Sequence, residues 1–148
     1  MFKYGGHLEL RHLFTQSLIH FVEQHNLPIY DCDLIVPVPL HPARYRERSF
    51  NQSQLIAIAL SKHFQIPCDP FAVTRVRYTP NQARVNSKQR WTNMQETFKI
   101  GTINIDINRN ILIVDDLLTT GATLSEISLV FKNAGAQKVY GLTAAIAV

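Results

Sequence analysis

Residues 111–123 constrain the fold of this chain more than any other stretch. The stretch opens with four consecutive branched apolar residues, Ile-Leu-Ile-Val. Such a run predicts a strand that is buried on both faces, as in a parallel sheet. Asp115 and Asp116 follow at the C-terminal end of this strand, which is the edge of an open α/β sheet where ligands bind. A turn rich in threonine comes next, and apolar residues then recur at helical spacing.

The predicted turn suits a phosphate group, because the start of a helix presents unpaired N–H groups and a positive dipole end. Gly121 lets the backbone approach a ligand closely. Further hydroxyl donors come from Thr119, Thr120 and Thr123. The two carboxylates beside the turn accept hydrogen bonds from sugar hydroxyls and favour Mg²⁺. The pattern therefore indicates a phosphate with a diol beside it, as in ribose 5-phosphate.

Basic residues are concentrated in the middle of the chain. The formal net charge is +4, and residues 44–90 contain nine Lys and Arg but only two acidic residues. This local excess attracts an anion such as pyrophosphate or a nucleic acid. Arg44 and Arg46 lie in a proline-stiffened loop after a predicted strand, where guanidinium groups can bind a diphosphate. The polar and basic stretch at about 77–98 is predicted to be a lid loop.

The rest of the pattern predicts one α/β domain over residues 1–148. Buried strands are predicted at 34–38, 71–76 and 139–147, with a β-arm at 98–109. A helix after the first strand is expected to be capped by Asn51 or Ser49, and Gly135 is expected to end the last helix. Strands and helices in this order predict a doubly wound, mostly parallel sheet with right-handed crossovers.

The N-terminal part of the chain predicts an amphipathic helix at 7–25. Its apolar residues recur at spacings of three and four, which places on one face Leu10, Leu13, Phe14, Leu18, Phe21 and Val22. We expect this face to pack against the rest of the domain.

Composition excludes several classes of protein. No apolar run approaches the roughly 20 residues that a membrane-spanning helix needs. The N-terminus lacks the apolar segment of a signal peptide. Cys32 and Cys68 are isolated in the sequence, so we expect no zinc site in this chain. Two free thiols are typical of a cytoplasmic protein.

Residues 111–123 resemble the motif that binds 5-phosphoribosyl 1-pyrophosphate (PRPP) in type I phosphoribosyltransferases. The resemblance implies the type I fold with a flexible basic lid. It implies that Asp115 and Asp116 orient the ribose by its hydroxyls and contact Mg²⁺ indirectly. It assigns the 5-phosphate to Thr119, Thr120, Gly121, Ala122 and Thr123. Candidates to bind pyrophosphate are Arg44, Arg46, Lys88 and Arg90. No general base is assigned, because Thr119 stands where purine phosphoribosyltransferases have an acidic residue.

Further motifs resemble the ComF/ComFC family, whose members are phosphoribosyltransferase-like proteins linked to DNA uptake in natural transformation. The motifs are Pro37-x-Pro39-Leu40-His41, Arg48-x-Phe50-Asn51-Gln52, Thr79-x-x-Gln82 and Arg90-x-x-Asn93. Family members usually have Gly where Ser49 stands, and they usually begin with a cysteine-rich zinc ribbon. No such cluster of cysteines occurs in these residues.

Three functions are left open by the sequence. The first is a PRPP-binding protein of DNA uptake. The second is a non-catalytic sensor of PRPP or nucleotide that binds single-stranded DNA. The third is an active phosphoribosyltransferase of nucleotide metabolism with an unknown acceptor. In the second case, aromatic residues of the basic region either stack on bases or serve only in packing: Tyr45, Phe50, Tyr78 and Trp91. DNA-uptake proteins and a second copy of the chain are the other partners considered.

Overall fold

A parallel sheet forms the centre of the protein. The computed structural model describes residues 2–40, 51–76, 98–101, 108–118 and 120–146. The elements in chain order are α1 (Phe2–Gln24), a 3₁₀ helix (Pro28–Asp31), β1 (Leu34–Pro37), α2 (Gln52–Phe64), β2 (Val73–Arg75), β3 (Phe98–Ile100), β4 (Asn110–Leu118), α3 (Ala122–Asn133) and β5 (Lys138–Ile146). The strand order of the parallel sheet is β1-β4-β5, and β2 and β3 form a separate antiparallel pair.

Both faces of the parallel sheet are covered, because successive side chains of a strand point to opposite sides. On one face, Leu112 and Val114 of β4 belong to a core with apolar residues of α1 and α2. On the other face, Ile111 and Ile113 pack with α3 and with the β2–β3 pair. The apolar run at 111–114 is therefore buried on both sides, and the predicted α/β class is confirmed.

The predicted ends of α2 and α3 are also confirmed. Asn51 caps α2, since its side chain accepts a hydrogen bond from the Ser53 N–H at 3.1 Å. Gly135 follows α3 with φ = +111°. Its N–H donates to the Lys132 carbonyl at 3.1 Å, and the Ala136 N–H donates to the Phe131 carbonyl at 3.0 Å. These two bonds are the Schellman arrangement that a glycine in the left-handed region permits.

The strand predicted at 71–76 is shorter and does not join the parallel sheet. The position beside β1 is occupied by residues that precede β2 in the chain, because Ile35 forms an isolated parallel bridge with Cys68. The Asp69 side chain then accepts a hydrogen bond from the Phe71 N–H at 2.8 Å, which turns the chain. After this turn, Val73–Arg75 pairs with Phe98–Ile100 instead. The predicted β-arm thus begins with β3, the partner of β2.

Helix α1 begins earlier than predicted, and its buried face is narrower. Leu18, Ile19 and Val22 are buried. Phe14 and Phe21, which we expected on the buried face, are 53% and 47% exposed, and Leu13 is also exposed. Spacing of three and four residues identified an apolar stripe, but the sheet and α2 cover only one side of that stripe. The side chain of Leu10 lies outside the described residues.

Several predicted features lie outside the part of the chain that the structure describes. They are the lid up to residue 97, the loop at 41–50 and most of the arm after Gly101. Within the described ranges, no helix is both long enough and apolar enough to cross a membrane.

Candidate functional site

The acidic pair lies near the C-terminal end of β4. The strand continues through both residues to Leu118, so the carboxylates belong to the strand and do not follow it. Asp115 is opposite Thr143 of β5 in the sheet register. Both acidic side chains are half-buried, in contrast with the fully buried residues 111–114 before them. The sheet thus passes from apolar core to polar edge at Asp115.

Asp115 is oriented by two hydrogen bonds to the same oxygen. The Ser53 hydroxyl of α2 donates to Oδ1 at 3.2 Å, and the Asp116 N–H donates to Oδ1 at 2.9 Å. Ser53 is only 3% exposed and lies in the first turn of α2. The carboxylate therefore lies at the positive end of the α2 dipole, which favours an anion.

The pKa of Asp115 is raised from 3.8 to about 6, and burial is the largest cause. The neighbouring Asp116 carboxyl contributes to this rise in pKa through a side-chain hydrogen bond, and because two like charges at close range disfavour ionisation. The hydrogen bonds from the Asp116 N–H and from Ser53 act in the opposite direction. A carboxyl held in this balance is suited to a ligand that brings hydrogen-bond donors or a cation.

The start of α3, after the turn that follows β4, has features that favour an anion. Gly121 is the residue before the helix and has φ = +80°, in the left-handed region that favours glycine. The N-cap residue, Gly121, makes no side-chain cap hydrogen bond, and no acidic residue lies in the first turn of α3. The Ala122 N–H donates to the Thr120 hydroxyl at a long distance of 3.3 Å. The first turn of α3 is therefore suited to an anion.

A cavity of about 250 Å³ lies between β1, α2 and β2. It is lined by Pro39, Leu40, Asn51, Gln54, Pro70, Phe71, Val73, Thr74 and Arg75. Arg75 donates from Nε to the Pro39 carbonyl at 2.7 Å, and its guanidinium lies 4.7 Å from the centre of the Phe98 ring. One lining residue, Asn51, is also the cap of α2 that accepts a hydrogen bond from the Ser53 N–H.

The structure brings together only part of the predicted site. Asp115 and Asp116 precede the turn of Thr120 and Gly121 at one edge of the sheet, and α3 then begins with Ala122 and Thr123. Among the described residues, the Asp115 side chain accepts hydrogen bonds from Ser53 of α2 and from the Asp116 N–H, and not from this turn. The other predicted site residues lie outside the described ranges: Thr119, Arg44, Arg46, Lys88 and Arg90.

Two polar residues were missed by the sequence reasoning. Ser53 contacts Asp115 across 62 positions of sequence, and only its place in the first turn of a helix at the ligand edge could have suggested this. Glu126 of α3 is 2% exposed, its Oε1 has no hydrogen-bond partner among the residues that the structure describes, and burial raises its pKa. Its position within an apolar helical repeat gave no signal of this environment.

The described residues contain no group of three or more His, Cys, Asp or Glu side chains that could hold a metal ion. Cys32 and Cys68 are free thiols, and burial, together with neighbouring carboxylates, raises the pKa of each to about 11. A thiol in this state is a poor metal ligand and a weak nucleophile at neutral pH. The acidic pair is thus the candidate for a cation, and it needs further oxygen ligands from elsewhere.

Comparison with known sequences found competence and DNA utilization proteins. The chain is 34% identical over 116 residues to Competence protein F of Haemophilus influenzae, covering 76% of this chain and 51% of that protein. It is 37% identical over 108 residues to DNA utilization protein YhgH of Escherichia coli K12, covering 72% and 46%. It is 29% identical over 138 residues to Competence protein ComFC of Streptococcus pneumoniae, covering 93% and 57%. The chain therefore spans about half the length of these relatives.

Comparison with solved structures found phosphoribosyltransferases, while no family model matches the sequence. The purine phosphoribosyltransferase of Pyrococcus horikoshii superposes with a TM-score of 0.55 at 20% identity, covering 90% of this chain and 74% of that one. The glutamine PRPP amidotransferase of B. subtilis gives a TM-score of 0.53 at 18% identity, covering 76% and 22%. At these identities the likeness establishes the fold alone. The chain is therefore a homologue of the ComF/ComFC proteins with the fold of the type I phosphoribosyltransferases.

Proposed function

We propose that this protein binds PRPP at the C-terminal edge of β4 and that it acts in DNA uptake. One observation carries the proposal: an acidic pair near the end of β4 lies a few residues before Gly121, which has positive φ, and before a helix start without an acidic residue. The carboxylates and the amides of the helix start lie at opposite ends of this short segment. They match the hydroxyls and the 5-phosphate of one ribose phosphate.

Different residues of the site bind different parts of the ligand. The amides at the start of α3 bind the 5-phosphate, supported by the Thr120 and Thr123 hydroxyls. Asp115 and Asp116 accept hydrogen bonds from the ribose hydroxyls and thereby orient the sugar. Residues that would neutralise the pyrophosphate, including Arg44 and Lys88, are assigned from sequence only.

Mg²⁺ fits this donor set as a cation that arrives with the ligand. Two carboxylates supply hard oxygen ligands, but Mg²⁺ prefers six, so most of the others would come from pyrophosphate and water. Asp115 and Asp116 are the residues that would contact it. The ion would neutralise phosphate charge at the acidic edge of the site.

Calorimetric titration with PRPP and Mg²⁺ tests this proposal. We expect wild-type protein to bind, and Asp116→Asn to bind at least about tenfold more weakly because a charged hydrogen-bond acceptor for the ribose is lost. Asp33→Asn is the matched control, since Asp33 accepts a hydrogen bond from the Asn110 N–H at the opposite end of β4. Absence of binding by wild-type protein, or equal binding by Asp116→Asn, would contradict the proposal.

The same material separates binding from catalysis. Transfer of the ribosyl group would release pyrophosphate from PRPP once an acceptor attacks C1, and Asp116→Asn would lose this release. PRPP binding without pyrophosphate release, across a panel of nucleobases, would favour the non-catalytic sensor. Release with one base would favour a phosphoribosyltransferase of nucleotide metabolism.

The role in DNA uptake is supported by the names of the relatives and by the charge distribution. Competence protein F and ComFC are named for competence, and YhgH for DNA utilization. The nine basic residues within 44–90 would attract the phosphates of single-stranded DNA. We expect a single-stranded oligonucleotide to bind at low salt and to be released as salt rises, measured by fluorescence anisotropy. No binding at low salt would exclude direct DNA contact by this chain.

A second copy of the chain is the other partner that we propose, because α1 exposes Leu13, Phe14 and Phe21. Analytical ultracentrifugation tests this association. A monomer at all concentrations would contradict it.

A further inference from the structure

Side-chain hydrogen bonds join the first turn of α2 to two neighbouring strands of the sheet, β1 and β4. On the β1 side, Asn51 donates from Nδ2 to the carbonyl of Val38, which follows the strand, at 3.0 Å. On the β4 side, the Ser53 hydroxyl donates to Asp115 Oδ1 at 3.2 Å. Asn51 and Ser53 are themselves linked, since the Ser53 N–H donates to Asn51 Oδ1 at 3.1 Å. Three polar contacts thus connect the ends of two neighbouring strands through one helical turn.

The contact between Ser53 and Asp115 is more than a surface hydrogen bond. Ser53 is 3% exposed, so its hydroxyl is withdrawn from water and must find a partner in the protein. Its acceptor is a carboxyl group, and hydrogen bonds to charged groups are stronger than those between neutral groups. The side chain of Ser53 is therefore held to Asp115 as long as α2 keeps its position.

The two hydrogen bonds of Asp115 determine which of its oxygens is presented to a ligand. Ser53 and the Asp116 N–H both donate to Oδ1. Two donors from different segments on one oxygen fix the rotation of the carboxyl about its Cβ–Cγ bond. The second oxygen, Oδ2, then points to the other side of the group.

We propose that Ser53 is a positioning residue of the ribose site, which orients Asp115 so that Oδ2 accepts a hydrogen bond from a ribose hydroxyl. This inference rests on the proposed function, since it assumes that the ligand carries a diol. Ser53 does not contact the ligand itself. Its effect passes through Asp115 and leaves the phosphate-binding turn at the start of α3 unchanged.

Substitution of Ser53 tests whether this residue orients the Asp115 carboxyl or only stabilises the fold. We expect Ser53→Ala to weaken PRPP binding about tenfold, the effect of one hydrogen bond to a charged group, and Ser53→Thr to restore it because the hydroxyl returns. Binding of inorganic phosphate alone is expected to be unchanged, because phosphate has no diol. Ser61→Ala is the matched control, since Ser61 is on the same helix but donates to the Ile66 carbonyl at the far end.

A double-mutant cycle identifies the path of the effect. In an Asp115→Asn background, we expect Ser53→Ala to cause little further loss of PRPP affinity, because the residue it positions has already been changed. A full additional loss in that background would overturn the inference. So would wild-type PRPP affinity in Ser53→Ala, or an equal loss of phosphate binding.

A measurement on the free protein distinguishes failure of this inference from failure of the proposed function. The ¹³Cγ chemical shift of Asp115 reports the hydrogen bonds of its carboxyl without any ligand. We expect this shift to change in Ser53→Ala and to return in Ser53→Thr. If wild-type protein does not bind PRPP, the proposed function fails. An unchanged ¹³Cγ shift in Ser53→Ala shows instead that Ser53 does not orient Asp115.

Discussion

At the scale of single residues, Asp115 is in an environment that stability alone does not favour. It is partly buried, and it lies beside a second carboxyl that raises its pKa. Isolated buried charges are costly, and residues with strongly shifted pKa values concentrate at functional sites. The hydrogen bond from Ser53 reduces this cost without removing it. The balance is understandable if a ligand supplies the missing hydrogen-bond donors.

The free-energy cost of burying the charged Asp115 carboxylate predicts how Asp115→Asn changes the stability of the protein. The carboxyl has a pKa of about 6 in the folded protein, above its value of about 3.9 in an unfolded chain. The folded state binds more protons between these values, so its stability falls as pH rises from about 4 to 6. The neutral amide removes this dependence. We expect Asp115→Asn to stabilise the protein at pH 7 by about 1–2 kcal/mol, allowing for partial solvation of the group.

Urea denaturation at pH 4.5 and pH 7 measures this effect. Asp33→Asn at the other end of β4 serves as the control, and it should retain the fall in stability between the two pH values. A lower free energy of unfolding for Asp115→Asn at pH 7 would contradict the electrostatic explanation.

Gly121 carries a second prediction at the residue scale. Its φ of +80° disfavours a side chain, although a Cβ there would have room, with the Leu118 Cδ1 atom 3.8 Å away. We therefore expect Gly121→Ala to cost about 1 kcal/mol of folding free energy through backbone strain alone. Because relief of strain would move the turn, PRPP affinity should fall as well. Thermal unfolding and calorimetry measure the two effects, and unchanged values in both would contradict the assigned role of the turn.

At the scale of elements, local patterns predicted those features that depend only on neighbouring residues. The apolar run of β4, the Asn51 cap of α2 and the glycine after α3 act within a few residues of sequence, and all three were found as expected. The pairing of β2 was not predictable in this way. It depends on Cys68 occupying the edge of β1 and on the Asp69 turn, which are tertiary features. The contact of Ser53 with Asp115 is likewise set by how α2 packs on the sheet.

The β2–β3 pair depends on a close backbone approach at Gly101. The Gly101 N–H donates to the Ala72 carbonyl at 3.0 Å, and a Cβ at this position would collide with the Phe71 carbonyl oxygen. Backbone cannot move aside as a side chain can, so we expect Gly101→Ala to lower the unfolding free energy by at least about 2 kcal/mol. Gly141→Ala is the control, because its Cβ would meet only the flexible end of the Leu124 side chain, whose nearer methyl group is 3.3 Å away. Equal losses in the two variants, measured by urea denaturation, would contradict this account.

At the scale of the whole molecule, β4 joins the two core clusters. It contributes Leu112 and Val114 to the cluster with α1 and α2, and Ile111 and Ile113 to the cluster with α3. The same strand carries the acidic pair at its end. The position of the carboxylates is therefore determined by packing on both faces of the sheet, which explains why a site at this edge can be rigid.

This arrangement predicts that the two clusters unfold together. Phe131 is buried on the α3 side and Leu60 on the α2 side, and we expect their replacement by alanine to cost about 3–5 and 2–5 kcal/mol, respectively. Because β4 is shared, the amides of residues 111–114 should exchange with solvent only through global unfolding. Each substitution should therefore lower their exchange free energy by the amount that urea denaturation gives. The exposed Phe71 is the control, and its replacement should change neither value by more than about 0.5 kcal/mol. If Phe131→Ala exposed the amides of α3 while those of β4 kept their full protection, the clusters would be independent units and packing on the α3 side would not hold the acidic pair in place.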